Sequence, residues 1–459
     1  MTLTTDRQRV PRLPLLAAVA FALVVSACSP SATEPPATTS AATQTTVATT
    51  VGGTDTAETT TTTSGTTSET GSAIDDDVAA MIQEEIGELI AVTERVRGLE
   101  FIVDPEVTVV TGEEMAARIR ADLEEEIDAD ELAVEDRFYR MLGLIEPNQD
   151  LMTILVDLYS EQVAGFYDGE TGELVVAAAE EGLSPFTKSV AVHELVHALT
   201  DQHFEFFEYW TELVDSDQFD AAAAVQGLIE GDATYFQVVY IQQLEPAELL
   251  ALSTEALGQD FGVLDDAPEF LREALEFPYT SGEAFVRQLV SEGGIAAVDQ
   301  AYLDPPTTTE HLLHGVDEPV RQVSLPILAI PGLEELRSGV LGEEELRLMF
   351  TDSATKGLRT QIGAGWGGDD HRLLYDEDDI VFVYRYLGDT EEDTIEVTEA
   401  FIDLARIEML AGQGESVDAG LLFPGEPYVW IDRTGDGLLF IAATDAELGA
   451  QVRALVSAG

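Results

Sequence analysis

His193-Glu194-Leu195-Val196-His197 is an H-E-x-x-H stretch, and it governs the reading of the rest of the chain. A four-residue step is close to one helical turn, so on a helix both imidazoles project from one face. Two neutral His nitrogens so placed can bind one Zn2+, with Glu194 beside them as a candidate general base. Helix signals surround the motif. Ser184-Pro185 supplies an N-cap followed by proline at the first helical position. Phe186, Val190, Leu195, Val196 and Leu199 then form an apolar stripe. With six His in 459 residues, a chance occurrence is rare, on the order of one chain in a hundred. The competing reading is a buried amphipathic helix with two incidental His.

Catalytic zinc usually takes three protein ligands and leaves a fourth position to water, so the third ligand decides the class. Glu230 lies 33 positions after His197, in Leu228-Ile229-Glu230-Gly231-Asp232-Ala233. The surrounding stretch, about 217–244, reads as a second helix whose Ala221–Ala224 run allows close helix approach. A carboxylate from that helix facing the two His gives a His2Glu site. His203, ten residues after His193, is the alternative in metzincin spacing, but Thr200 stands where that pattern has Gly. On a continuous helix His203 sits roughly 80° off the face of His193, and Thr is a poor residue for the turn that would swing it back. The only Met residues after His203 are Met349 and Met409, too remote in sequence for a Met-turn. Glu230 also has an ordinary reading as an exposed helix glutamate, and His203 as a histidine at a helix end.

The segment from Val192 through Phe204, with Asp201, Gln202 and His203, followed by Glu230-Gly231-Asp232-Ala233, resembles the gluzincin class of zinc metallopeptidases. The Glu-Gly-x-Ala piece is similar to the third-ligand segment of membrane-alanyl-aminopeptidase relatives. A bacterial group of H-E-x-x-H lipoproteins is similar over roughly residues 150–410. It shares Pro305-Pro306-x-Thr308-Thr309-Glu310-x-Leu312-Leu313-His314 and Gly365-Trp366-Gly367-Gly368-Asp369. The resemblance implies His193, His197 and Glu230 as zinc ligands and Glu194 as general base. Two departures stand out: the 33-residue spacing is long for the class, and no Gly-x-Met-Glu-Asn exopeptidase element occurs. Aminopeptidase specificity therefore does not carry over.

At the N-terminus, Arg7, Arg9 and Arg12 precede an apolar run, Leu13–Val25, that ends in Val25-Ser26-Ala27-Cys28. That is a secretory signal rather than a membrane span, which needs about 20 apolar residues. The Val-Ser-Ala-Cys ending resembles a lipobox, which makes Cys28, the single Cys of the chain, a lipidation site. No internal disulfide is possible. Residues 28–73 are dominated by Thr, Ser, Ala and Gly and cannot bury enough apolar surface to fold. As a flexible tether they would span roughly 35–40 Å. The expected location is the outer face of a bacterial membrane.

The chain carries 88 acidic and 22 basic residues, net −66. Such a charge excludes nucleic acid as a partner and disfavours acidic substrates. The expected organisation is a signal peptide (1–27), a tether (28–73), a helical zinc-metallopeptidase-like domain (74–355) and a C-terminal α+β region (356–459). The fold class is mostly α with small β elements. A capping box at Thr111–Glu114 starts helices running to about Leu144. Asp168-Gly169-Glu170-Thr171-Gly172 joins a hairpin just before the zinc helix. Its edge could receive an extended peptide by β-addition or merely cover the helix. Helices are expected near 246–256, 267–276, 282–292, 307–313, 395–411 and 445–457. Strands are expected at 380–384, 428–431 and 438–443.

These readings predict a membrane-anchored zinc metallopeptidase acting on peptide or protein substrates. Glu194 would move the proton, and His314, Tyr167, Tyr235, Tyr279 and His311 are candidate donors to the developing oxyanion. Asp201 and Asp232 are candidates to orient an imidazole from behind. The rival is a non-catalytic surface lipoprotein with a structural zinc, or one that binds wall or solute ligands.

Overall fold

The described residues begin with α1 (Asp76–Arg97), whose Ile82, Ile86 and Leu89 are buried. The structure is a computed structural model that describes residues 76–458, apart from 161–163, 179–181, 259–261, 316–318, 352–355 and 418–419. Cys28, the signal segment and the tether lie outside the described residues. None of the described helices is long and apolar enough to cross a membrane.

β1 (Glu106–Val110) leads into α2 (Gly112–Glu126), whose capping box forms as expected: the Thr111 and Glu114 side chains each bond the other's backbone N–H. α3 (Ala129–Leu142) starts on Asp128 and stops at Gly143, which is left-handed at φ 81. α4 (Leu151–Ser160) precedes the hairpin of β2 (Gly165–Asp168) and β3 (Glu173–Ala177). β1 joins that hairpin as a third strand parallel to β3, in the order β1-β3-β2. It escaped the sequence reading because a five-residue run gives periodicity little to register. β2 is therefore an edge strand, packed on the next helix.

α5 (Pro185–Phe204) is the helix of the H-E-x-x-H motif, capped by the Ser184 hydroxyl accepting from Thr187 N–H. α6 (Phe206–Asp215), α7 (Phe219–Ile241), α8 (Pro246–Ala256) and the short α9 (Gly262–Asp266) follow. The two helices expected at 267–276 and 282–292 are one helix, α10 (Glu269–Gly293), with Pro278 and Gly282 inside it. Pro278 lacks only one N–H, and packing of the Gly282 face against α7 carries the helix through. α11 (Ile295–Leu303) and α12 (Thr309–His314) complete the helical part.

A seven-stranded sheet follows, in the order β4-β5-β6-β10-β9-β8-β7. Its strands are β4 (Glu334–Gly339), β5 (Trp366–Tyr375), β6 (Ile380–Gly388), β7 (Glu415–Val417), β8 (Gly420–Phe423), β9 (Tyr428–Thr434) and β10 (Gly437–Ala443). Between them lie α13 (Gly342–Leu348), α14 (Arg359–Gly363) and α15 (Glu391–Asp403), and α16 (Ala446–Ala458) ends the chain. The sheet begins at Glu334, upstream of the boundary expected at residue 356. β5 runs through Trp366-Gly367-Gly368-Asp369, a segment too rich in Gly and Asp to read as strand. Pairing with β6, with a bulge at the glycines, overrides that propensity, while β4 joins β5 only from His371 onward. One apolar core joins Phe138 and Tyr139 of α3, Phe270 and Leu271 of α10, and Phe382, Tyr384 and Phe440 of the sheet. As expected, the fold is mostly helical with small β elements.

Candidate metal centre

α5 and α7 bring His193, His197 and Glu230 together, and all three are buried, at 1%, 4% and 2% exposure. Glu230 Oε2 lies 3.1 Å from His193 Nε2 and 3.3 Å from His197 Nε2. In a tetrahedral zinc site with ligand bonds near 2.0–2.1 Å, neighbouring ligand atoms stand roughly 3.3–3.4 Å apart. The two separations from Glu230 therefore match those of ligands on one metal ion, and the donor set suits zinc. Among the described residues this is the group whose His and carboxylate atoms all lie within 4.8 Å of one another, and it stops at three. A buried His-His-Glu group able to hold a metal ion is thus built into the fold.

The electrostatics agree with that geometry. Burial lowers His193. Burial also opposes protonation of His197, but the Glu230 carboxylate outweighs it and raises that imidazole. Burial would raise Glu230, yet the two imidazoles pull it below the ordinary carboxylate range and keep it ionised.

Glu194 is 3% exposed, and its Oε2 accepts the backbone N–H of Tyr167 in β2 at 2.9 Å. Its Oε1 has no partner. Burial pushes its pKa up to about 8, while His197 pulls it down. The close seat of the strand needs Gly165, where an added Cβ would stand 3.1 Å from Val175 O and 3.3 Å from Val190 Cγ1. The hairpin edge is therefore hydrogen-bonded to the candidate base, a contact that no spacing in the sequence announces.

Other expected residues stand elsewhere. His203 Nε2 donates to the Glu100 carbonyl at 2.8 Å and lies outside the trio. Asp201 was expected to orient an imidazole. Instead its two oxygens accept the Tyr167 hydroxyl at 2.8 Å and the Phe207 N–H at 3.1 Å, tying the hairpin to the turn after α5. Asp232 likewise bonds no imidazole. Its Oδ2 meets Arg97 Nε at 3.0 Å and the Tyr302 hydroxyl at 3.1 Å, and only its charge reaches His197. His314 faces Glu343, with Nε2 at 2.9 and 3.1 Å from the two carboxylate oxygens, rather than the trio. His311 packs edge-on against Phe285, and Tyr235 against Phe236. Of the candidate donors, Tyr279 stands nearest an imidazole, its ring centroid 6.1 Å from that of His193.

Arg97 was not singled out by the sequence reading. It is wholly buried, pairs with Asp232 and with Asp299 at 2.7 Å, and lies over the Phe236 ring. The close approach of α7 and α10 was also missed, although Gly282 inside a helical pattern is the kind of glycine that usually has a packing reason. A Cβ at Gly282 would fall 1.9 Å from the Gly227 carbonyl oxygen, and one at Gly231 would fall 2.2 Å from Gly282. The expected Ala221–Ala224 run does other work: Ala222 packs with Phe206 and Trp210 of α6.

No family model matches the chain, and no curated protein matches it. A solved structure from Chloroflexus aurantiacus, described as "a putative hydrolase with a novel fold", is similar over 52% of this chain and 89% of its own. The TM-score is 0.33 and the identity 16%, so that similarity carries no argument about activity.

Proposed function

We propose that the protein is a zinc metallopeptidase of gluzincin type, held on the outer face of a bacterial membrane by a lipid on Cys28. The observation that carries the reading is the three-donor site of His193, His197 and Glu230, with Glu194 one residue along the same helix. A structural zinc would be closed by a fourth protein ligand, and among the described residues the group has three. Zinc in this donor set supplies Lewis acidity toward a carbonyl and toward water. Glu194 then takes a proton from water and delivers it to the leaving amine. The Tyr167 N–H holds one of its oxygens and leaves Oε1 for the proton. β2, as a sheet edge beside Glu194, is the rim along which an extended peptide would pair. Net charge −66 favours basic peptides over acidic ones.

The test is metal analysis paired with hydrolysis of an unstructured protein substrate. The purified wild type should hold one zinc per chain. Glu194→Gln should keep that zinc while hydrolysis falls about 10²–10⁴-fold. Glu230→Ala should lose the metal, and His203→Ala should keep it. Unchanged hydrolysis in Glu194→Gln removes the peptidase reading, and zinc retained in Glu230→Ala removes the ligand assignment. For the anchor, Cys28→Ser should release the full-length protein from the membrane fraction; firm retention would refute it.

A further inference from the structure

Antiparallel pairing decides which main-chain groups of β2 are left over. The Ala177 N–H bonds the Ala164 carbonyl at 2.8 Å, and the register runs on with Phe166 opposite Val175 and Tyr167 opposite Leu174. Bonded and non-bonded pairs alternate in such a ladder, so the N–H and carbonyl of Tyr167 face away from β3. No strand lies on that side of β2. Tyr167 is 6% exposed, and a buried N–H needs an acceptor. The Glu194 carboxylate supplies it.

The side chain of the same residue makes a second tie to the same helix. The Tyr167 hydroxyl donates to Asp201 Oδ2 at 2.8 Å. Asp201 follows Glu194 by seven residues on α5. That is two turns, about 10 Å along the axis, so both carboxylates lie on one face of the helix. Asp201 is itself held, because its Oδ1 accepts the Phe207 N–H at 3.1 Å. The Phe207 ring closes on the hairpin turn, where a Cβ at Gly169 would stand 2.2 Å from Phe207 Cδ2. Among the described residues, the two side-chain hydrogen bonds between β2 and α5 both end on Tyr167. Glu194 Oε1 has no partner, so the direction of that carboxylate depends on the Tyr167 N–H. A rigid phenol ring links the two ends, and the place of the hydroxyl is passed to the main chain.

We propose that Tyr167 is a positioning residue for Glu194: its hydroxyl, moored on Asp201, sets where its backbone N–H holds the carboxylate that takes the proton from water. The effect on turnover rests on the peptidase reading. The mooring does not, and it can be read without turnover.

Tyr167→Phe removes the hydroxyl and keeps both the ring and the N–H. In the zinc-loaded full-length protein, kcat should fall about tenfold to a hundredfold, the scale on which misplacing a reacting group by an ångström acts, with KM little changed. Zinc content should match the parent, since no ligand is touched. Hydrogen exchange at the residue-167 amide, read by mass spectrometry with residue-level fragmentation, should quicken about tenfold, and likewise in Glu194→Ala, which removes the acceptor. Asp201→Ala is the second variant should Tyr167→Phe fail to fold, and it should show the same two effects. Asp201→Asn, which keeps an oxygen for the hydroxyl, should recover part of both. An unchanged kcat in folded, active Tyr167→Phe overturns the proposal and leaves the peptidase reading standing, as does a loss carried by KM alone. If the parent hydrolyses nothing, the peptidase reading falls and the exchange rates decide the mooring. Equal rates at residue 167 in the parent and Tyr167→Phe overturn it, and a faster rate in the variant upholds it.

Discussion

Single side chains show how burial sets the chemistry of this protein. Asp220, Asp369 and Glu344 are carboxyls pushed up by burial, to about 8, 7 and 7 respectively. In the unfolded chain each ionises near pH 4. Between about pH 4 and 8 the folded protein therefore holds protons that the unfolded chain has released, so stability falls as pH rises through that window. The thermal midpoint of the metal-free protein should drop from pH 5 to pH 8, and the drop should be shallower in Asp220→Asn. A midpoint that rises over the same range would contradict the assignment of these groups. The candidate zinc ligands behave differently, because Glu230 is surrounded by imidazoles instead of carboxylates. The same physics thus leaves one buried acid ionised and keeps others protonated, according to the neighbour.

Among the secondary elements, the crossing of α7 and α10 matters most to the site, because Glu230 sits beside Gly231 at the contact. With a Cβ at Gly282 only 1.9 Å from the Gly227 carbonyl oxygen, Gly282→Ala must push the helices apart. It should cost about 1–3 kcal/mol, as overpacking does, read as a lower denaturant midpoint at unchanged slope. Zinc affinity should fall with it, since Glu230 would be carried away from His193 and His197. A variant as stable as the parent, with unaltered zinc affinity, would show that the crossing is not this tight. β2 is the other element that shapes the site, holding Glu194 through the Tyr167 N–H and Asp201 through the Tyr167 hydroxyl.

Taken across the chain, the helical part and the sheet share one apolar core, in which Phe138 packs 4.9 Å from Phe382 and Tyr139 4.7 Å from Phe270. Asp369 reinforces the junction by accepting the Leu341 N–H and the Trp366 indole N–H, at 2.8 and 2.7 Å. A fragment ending at residue 355 would expose the α3 and α10 side of that core. It should fail to fold cooperatively, whereas residues 74–459 should unfold in a single transition with coincident circular dichroism and fluorescence curves. A fragment 74–355 with a sharp transition of its own would make the two parts separate domains.

The helix of His193, Glu194 and His197 was legible in the chain because a cap, a proline and a 3.6-residue apolar period act within one turn of each other. Glu230 could be nominated from the apolar residues around it, and the hairpin from its Asp-Gly and Thr-Gly turn. The partners of Asp201, Asp232 and His314 were not legible, since each is met by a residue far along the chain or in a neighbouring turn whose direction no spacing records. Arg97 reaches Asp232 across 135 positions, and His314 reaches Glu343 across 29. β1, β4 and β5 were hidden for a related reason: five or six residues, or a run rich in Gly and Asp, become strand only when a neighbour supplies the other half of the hydrogen bonds. Local periodicity and capping act through the chain itself and leave their mark on it. Pairing, burial and charge compensation act through space, and only the assembled fold chooses among the partners that the composition allows.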